Sequence, residues 1–326
     1  MKTKILKILK QQEEHISGQQ ISDYLGVSRT TVWKVIKELR EEGYEINSAT
    51  NKGYLLTKSP DIITSDEIKS VLKTGCFGTE IHAYSEVTST NKLAKEKASQ
   101  GAQEGTVVIA EAQTAGRGRL GKVWESPYGS GIWMSLILRP PILPQDVSGI
   151  TLIAGLAICQ AIRELTNLQA YIKWPNDVVI NGKKVCGILT EISAEMEQVN
   201  HVVVGIGINV NIEDIPKVLK KVATSLSIEG EKRYVRKDII AQVLMCFEGH
   251  YKAYIQEGSL KPILGQYKAL CITLQNQVRV INKDGTYEAT PVDINETGSL
   301  IVDKKDGKRE TITSGEVSVR GIYGYV

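Results

Sequence analysis

Hydrophobic positions recur with three different periods along this chain. Over the first sixty residues the spacing is helical. MKTKILKILK interleaves Ile and Leu with Lys, and Val32, Ile36 and Leu39 stand at i, i+4 and i+7. This predicts a helix over 20–25, a tight turn at Gly26-Val27 and a second helix opening at Ser28, a good N-cap residue. Residues 44–56 have strand character around an Asn51-Lys52-Gly53 turn, which adds a hairpin after the second helix.

From about residue 65 to 270, strand-like runs alternate with helical patterns. Strands are predicted at 106–110, 132–138, 177–180, 185–192 and 201–206, and helices at 89–100, 149–165, 216–221 and 236–257. Such an order suggests helices packed on one central sheet. From 272 onward the pattern is short strands, with turn signals at Asp284-Gly285, Thr297-Gly298 and Asp306-Gly307, as a small antiparallel barrel needs. A polar, proline-containing stretch at 57–61 separates the first block from the second. The expectation is an α+β multidomain chain: a winged helix-turn-helix over 1–62, a mixed α/β sheet domain over 63–271 and a small β-barrel over 272–326.

Composition changes this picture little. The 326 residues are 42% hydrophobic and 24% charged, as in ordinary globular proteins. No unbroken apolar run of about 18 residues occurs, so no membrane span is expected. The N-terminal stretch lacks a small-residue cleavage site and reads as an amphipathic helix instead of a signal peptide. Five cysteines, Cys76, Cys159, Cys186, Cys246 and Cys271, are scattered without a CxxC pair. That speaks against a disulfide framework or zinc site and for a reducing compartment, the cytoplasm by default. The net charge of +3 sits at the front: residues 1–60 carry ten Lys/Arg against seven Asp/Glu, leaving thirty of each in the rest. One face of the first domain can therefore be basic.

On the second helix, Arg29, Thr30, Thr31, Lys34 and Lys37 oppose the apolar stripe, with Ser28 ahead of them. Short polar and basic side chains at the start of such a helix suit the DNA major groove, and Lys52 at the hairpin tip suits a phosphate. Trp33 is expected to pack inward. A helical hairpin used for protein contacts is the plainer alternative.

The richest chemistry lies in QTAGRGRLGKVW, residues 113–124. Two arginines between glycines form a cationic loop whose backbone N–H groups can face an anion. The segment is not a P-loop, because Val123 replaces the Ser/Thr and Pro127 and Gly129 forbid the helix that should follow. Nor is GIGINV after HVVV a dinucleotide fingerprint, since its third glycine is missing. KWPND, residues 173–177, sets a carboxylate beside a Trp-Pro turn, and Lys184 follows in GKKVCGILTE. A hairpin turning at Asn181-Gly182 would bring Asp177 and Lys184 together, a pairing suited to phosphate and amine chemistry.

The ordered set EVTSTN (86–91), QTAGRGR (113–119), KWPND, GKKVCGILTE (182–191) and VGIGINVN (204–211) resembles the biotin protein ligases. With the winged helix in front, essentially the whole chain is similar to the bifunctional ligases that also repress the biotin operon. Lipoate ligases share the fold but lack the GRGR loop. The resemblance implies a class II aminoacyl-tRNA synthetase-like central domain, an SH3-like C-terminal barrel, and joining of biotin, through biotinyl-5′-adenylate made from Mg·ATP, to a lysine of a biotin carboxyl carrier protein. It places biotin at Ser89, Thr90, Asn91, Gln113, Gly116, Arg117, Lys184 and Gly187. It places the nucleotide at Arg119, Lys122, Trp124, Asn209, Ala223, Glu316 and Arg320. Lys184, Arg119 and Asp177 are the implied catalytic group, with Asp177 steering Mg²⁺ or the incoming amine. Lys122 stands where many relatives carry Arg, without the bidentate geometry. An adenylate-bound homodimer on operator DNA is the implied repressor. A ligand sensor with an inactive enzyme domain, and a ligase without a DNA role, remain the alternatives.

Overall fold

In the computed structural model the described residues are all except 50–51, 197, 283–284, 314–317, 322–324 and 326; the side chains of 318–321 are also outside the description. The chain divides into two units, Met1–Leu72 and Lys73–Val326.

The first unit runs α1 (Lys2–Lys10), α2 (Gly18–Leu25), α3 (Arg29–Glu41), β1 (Glu45–Ala49), β2 (Gly53–Lys58) and α4 (Ser65–Val71). Ser17 and Gln20 form a capping box that starts α2, and left-handed Gly26 ends it. Ser28 accepts from the Thr31 amide to start α3. Ile5, Leu6, Leu9, Ile21, Val32, Val35, Ile36 and Leu39 bury together, with Tyr44 and Ile46 completing the core. β1 and β2 pair as an antiparallel hairpin, tied back by the Ile16–Tyr54 bridge. A Cβ at Gly53 would stand 2.1 Å from the Ile16 carbonyl oxygen, so this close approach requires glycine. α4 lies beyond the 57–61 stretch yet packs on α1, and buried Glu67 bonds Lys10 at 2.7 Å and the Tyr44 hydroxyl.

The second unit continues with β3 (Ile81–Val87), α5 (Thr90–Ser99), β4 (Val107–Gln113), β5 (Gly131–Leu138), α6 (Ser148–Thr166), β6 (Ala170–Lys173), β7 (Asp177–Ile180), β8 (Lys183–Glu195) and β9 (Gln198–Asn209). Among the described residues these strands form one seven-stranded sheet, ordered β3-β4-β5-β9-β8-β7-β6, parallel only between β3 and β4. Alternation along β8 decides what lies on each face. Ile188 and Thr190 meet α6, where Thr190 and Thr151 share a 2.7 Å hydrogen bond. Gly187 and Leu189 face the other way. α6 is by length and composition apolar enough to cross a membrane, and it is a largely buried core helix packed on the sheet and on α8.

α7 (Leu226–Gly230), α8 (Arg236–Glu257) and α9 (Lys261–Leu270) follow. The helix expected at 216–221 is absent. Those residues form turns held mainly by i→i+3 bonds, such as Leu219 N–H to the Pro216 carbonyl, and Val218 is 87% exposed, so no apolar face is buried to sustain a helix. β10 (Val278–Asn282), β11 (Gly285–Ile294), β12 (Leu300–Lys304), β13 (Arg309–Ile312) and β14 (Ser318–Gly321) make an antiparallel sheet ordered β13-β12-β11-β10-β14. This sheet belongs to the same unit and meets the central domain at Trp174, whose indole N–H donates to the Gly298 carbonyl at 3.0 Å.

Candidate active site

Three glycines make a bare patch on the sheet. Gly187 pairs with Gly207, and Gly205 pairs with Leu189, across β8 and β9. The side chains of Asn91, Trp124 and Lys184 lie against them. A Cβ at Gly205 would stand 2.1 Å from Asn91 Oδ1, one at Gly207 2.6 Å from Trp124 Nε1, and one at Gly187 2.9 Å from both Lys184 and Trp124. Any larger residue at these positions would displace what now covers the sheet.

One end of the patch is polar and closely bonded. Ser89 starts α5 without a side-chain capping bond of its own. The Gln113 side-chain carbonyl accepts from the Thr90 amide at 2.8 Å, while its amide donates to Ser126 at 2.8 Å. Ser135 Oγ lies 2.8 Å from Thr90 Oγ1 and 2.7 Å from Asn91 Oδ1, and Asn91 donates to Glu191. Burial pushes the Glu191 carboxyl up, but hydrogen bonds from Lys95 and Asn91 outweigh it and hold the group below its ordinary range.

The other end is cationic. β7 and β8 turn at Asn181 (φ 48°) and Gly182 (φ 71°), a left-handed pair typical of tight hairpins. Asp177 and Val179 share a face of β7, and Lys184 pairs with Val179, so its side chain reaches back diagonally. Its ammonium lies 2.6 Å from Asp177 Oδ1. The Tyr325 hydroxyl donates to Oδ2. Arg119 donates to Asn176 at 2.9 Å; burial lowers its pKa, opposed by the charge of Asp177. Lys173 is buried beside them, its ammonium 3.5 Å from the centre of the Tyr325 ring. Three cations around one carboxylate leave a positive field suited to polyphosphate.

The 113–126 loop folds as a narrow hairpin over this floor. Gln113 bonds Ser126, Trp124 N–H bonds the Gly116 carbonyl, and Gly118 N–H bonds the Lys122 carbonyl at 2.7 Å. At the tip Leu120 takes φ 56° and is 81% exposed. The Trp124 indole lies on Gly187 and Gly207, edge-on to Trp133, with Lys184 5.0 Å from its ring centre. Its Nε1 is buried and has no hydrogen-bond partner among the described residues. The cavity left beside it is about 40 Å³, room for only a few waters.

Ser89, Thr90, Asn91, Gln113, Arg117, Arg119, Trp124, Lys184 and Gly187 all line this pocket. Sequence reasoning missed Asn176, Gly205 and Gly207, which line it too, and Tyr325. Asp177 lies behind Lys184. Gly116 backs the Trp124 segment, and Lys122 is exposed and outside the lining. Ala223 bridges the backbone of Lys184, and Asn209 donates to the Thr224 carbonyl at 3.0 Å, so both brace the Lys184 strand from outside the lining. Glu316 and the Arg320 side chain lie outside the described residues. The Arg320 backbone pairs with Arg279.

On the first unit, Arg29, Thr30, Lys34 and Lys37 are exposed along one side of α3. Ser28 and Thr31 are partly spent on each other, their hydroxyls 2.9 Å apart. Lys52 is exposed beside undescribed 50–51. The inward packing expected for Trp33 is wrong: the residue is 55% exposed in the middle of the basic face. Val32, Val35, Ile36 and Leu39 already fill the buried stripe.

Residues 84–209 match the Biotin/lipoate A/B protein ligase family, 2–55 an HTH domain and 273–320 the Biotin protein ligase C terminal domain. The chain is similar to the Bifunctional ligase/repressor BirA of Bacillus subtilis (strain 168), 45% identical over 296 residues that cover 90% of this chain and 91% of that one. It is similar also to the protein of the same name from Escherichia coli (strain K12), 27% identical across 97% and 96% of the two chains. Among solved structures, a biotin protein ligase from Aquifex aeolicus in complex with biotin and ATP matches with a TM-score of 0.66 at 32% identity, covering 74% of this chain and 99% of that one.

Proposed function

The chain belongs to the bifunctional ligase/repressor family of biotin protein ligases, carrying an N-terminal helix-turn-helix domain, and from this premise we propose that it activates biotin with ATP, passes it to a carrier-protein lysine, and represses transcription as an adenylate-bound dimer. In the first step a biotin carboxylate oxygen attacks the α-phosphorus. The bond from that phosphorus to the bridging oxygen breaks, and pyrophosphate leaves. In the second, the carrier's lysine amine attacks the acyl carbon, AMP departs with the bridging oxygen, and the amine loses a proton.

The observation that carries the reading is the Lys184–Asp177 pair at the edge of a glycine-floored pocket beneath an arginine loop. Lys184 bridges the carboxylate and the α-phosphate, offsetting charge as it develops there. Ser89, Thr90, Asn91 and Gln113 receive the ureido ring, with Gly116 holding the loop and Gly187 beneath the bicycle. Arg117 and Arg119 hold phosphates, with Lys122 beside them, and Trp124 leaves the floor to flank adenine. Asn209 and Ala223 brace the nucleotide side; Glu316 and Arg320 approach it from the C-terminal sheet, which we read as an SH3-like barrel on a class II synthetase-like domain. Magnesium enters with ATP. Both Asp177 oxygens face donors, so this carboxylate orients Lys184 and the arriving amine. Mass spectrometry of the protein incubated with biotin and Mg·ATP tests the reading: bound biotinyl-adenylate, and a biotinylated carrier domain when one is added, are expected. Unreacted biotin and ATP would overturn it.

A further inference from the structure

The corner of the β6–β7 hairpin holds two lysines and one carboxylate. Lys173 and Asp177 are cross-strand register partners, while Lys184 reaches Asp177 from β8. Two ammonium groups are thus within reach of one acidic side chain, and only one of them lines the pocket. Tyr325, four residues beyond β14, sits between the alternatives. Its hydroxyl donates to Asp177 Oδ2, on the oxygen that Lys184 does not use, and its ring faces the Lys173 ammonium at 3.5 Å. A cation over an aromatic face is attracted to it, and a carboxylate with a hydroxyl hydrogen bond on one oxygen and an ammonium 2.6 Å from the other has little freedom to turn. The same corner is braced a second time from the C-terminal side, by Thr273 on the Trp174 amide and by the Gly298 carbonyl on its indole.

We propose that Tyr325 is a positioning residue of the ligase reaction: its hydroxyl fixes Asp177 in the orientation that presents Lys184 to the pocket, and its ring keeps Lys173 on the other side of the carboxylate. It acts through Asp177 and touches no reacting atom. The C-terminal sheet thereby contributes to activation of the acid as well as to stability. The proposal rests on the roles given to Asp177 and Lys184 above.

The test is a double-mutant cycle on the full chain, with pyrophosphate release from biotin and Mg·ATP as the readout. Tyr325→Phe keeps the ring and removes the hydroxyl. It is expected to lower kcat about tenfold, the scale of one hydrogen bond to a charged group. KM for biotin should not change, because the Ser89–Gln113 end is untouched, and neither should the thermal midpoint. Asp177→Asn should cost more, and Tyr325→Phe should add nothing in that background. A single-mutant kcat within twofold of wild type, losses that multiply in the double mutant, or a loss that follows only unfolding would each overturn the proposal. An Asp177→Asn enzyme of wild-type rate would instead retire the role of Asp177, and this inference with it. A loss in Asp177→Asn beside an unaffected Tyr325→Phe would remove Tyr325 alone.

Discussion

Lys184 and Asp177, joined by the Asn181-Gly182 turn, stand 2.6 Å apart with the lysine side chain projecting toward the pocket floor. In the proposed mechanism this pairing holds the ammonium for the carboxylate and the α-phosphate together. Lys184→Ala should therefore fold and keep its pocket, yet lose adenylate formation by ~10²–10³, as removal of one preorganised charge contact does. Pyrophosphate release measures this directly, and a rate within threefold of wild type would sink the assignment.

This pair was legible in the sequence because its cause is local. Asn-Gly is a strong short-range turn signal, so the spacing alone predicted the contact. The α2–α3 turn, with its Gly26 and Ser28, was legible for the same reason. Tyr325 was not, since its contact with Asp177 spans 148 positions and depends on how β14 pairs with β10. The glycine floor was half visible: Gly187, Gly205 and Gly207 stood in recognised motifs, but their neighbouring positions follow from the register of two long strands. Trp33 misled because burial is the usual fate of large aromatics, and nothing in its own spacing shows that four aliphatic residues have filled the stripe.

The Trp124 indole lies on Gly187 and Gly207, the floor on which the proposed function seats the biotin bicycle. A remaining cavity of about 40 Å³ is far below the ~300 Å³ of ordinary ligand pockets, so biotin bound as proposed would have to displace the indole. Trp124→Ala should speed biotin association several-fold, because that displacement is no longer needed. It should also shorten the lifetime of the bound adenylate, since the side chain proposed to flank adenine is gone. Stopped-flow binding and adenylate dissociation read the two effects separately. Slower association in the variant would contradict the displacement.

Glu248 links α8 to the 75–77 backbone, accepting from three successive amides and from Lys252. Burial pushes its carboxyl up, but these donors win and hold its pKa at about 2, below the ordinary 4.5. A depressed folded-state pKa gives stability that is fully present above the unfolded value and is lost as pH falls through the folded one. Glu248→Gln should therefore lower the thermal midpoint by a few degrees at pH 7, with the difference from wild type shrinking between pH 4.5 and about 2. Midpoints that differ equally at pH 7 and pH 2 would exclude the linkage.

The exposed Trp33 stands among Arg29, Thr30, Lys34 and Lys37 on α3, an aromatic side chain in the face proposed to enter the major groove. In that proposed placement an apolar contact would read a thymine methyl, and the basic neighbours would meet phosphates. Trp33→Ala should fold normally, because the residue contributes nothing to the buried stripe, and should weaken operator binding by roughly 1–3 kcal/mol, the scale of one base contact. Lys37→Ala should weaken all DNA similarly and flatten the salt dependence by about one unit. One head carries few such contacts, so in the proposed dimer a second head would add its contacts at high effective concentration. If the adenylate favours that dimer, its differential affinity for the two states sets the gain, typically ~1–3 kcal/mol of coupling. Mobility shifts at one fixed salt concentration, with no ligand, with biotin, and with biotin plus Mg·ATP, measure it. Operator affinity should rise most in the third condition. The same affinity in all three would rule out ligand-coupled repression while leaving the ligase chemistry intact.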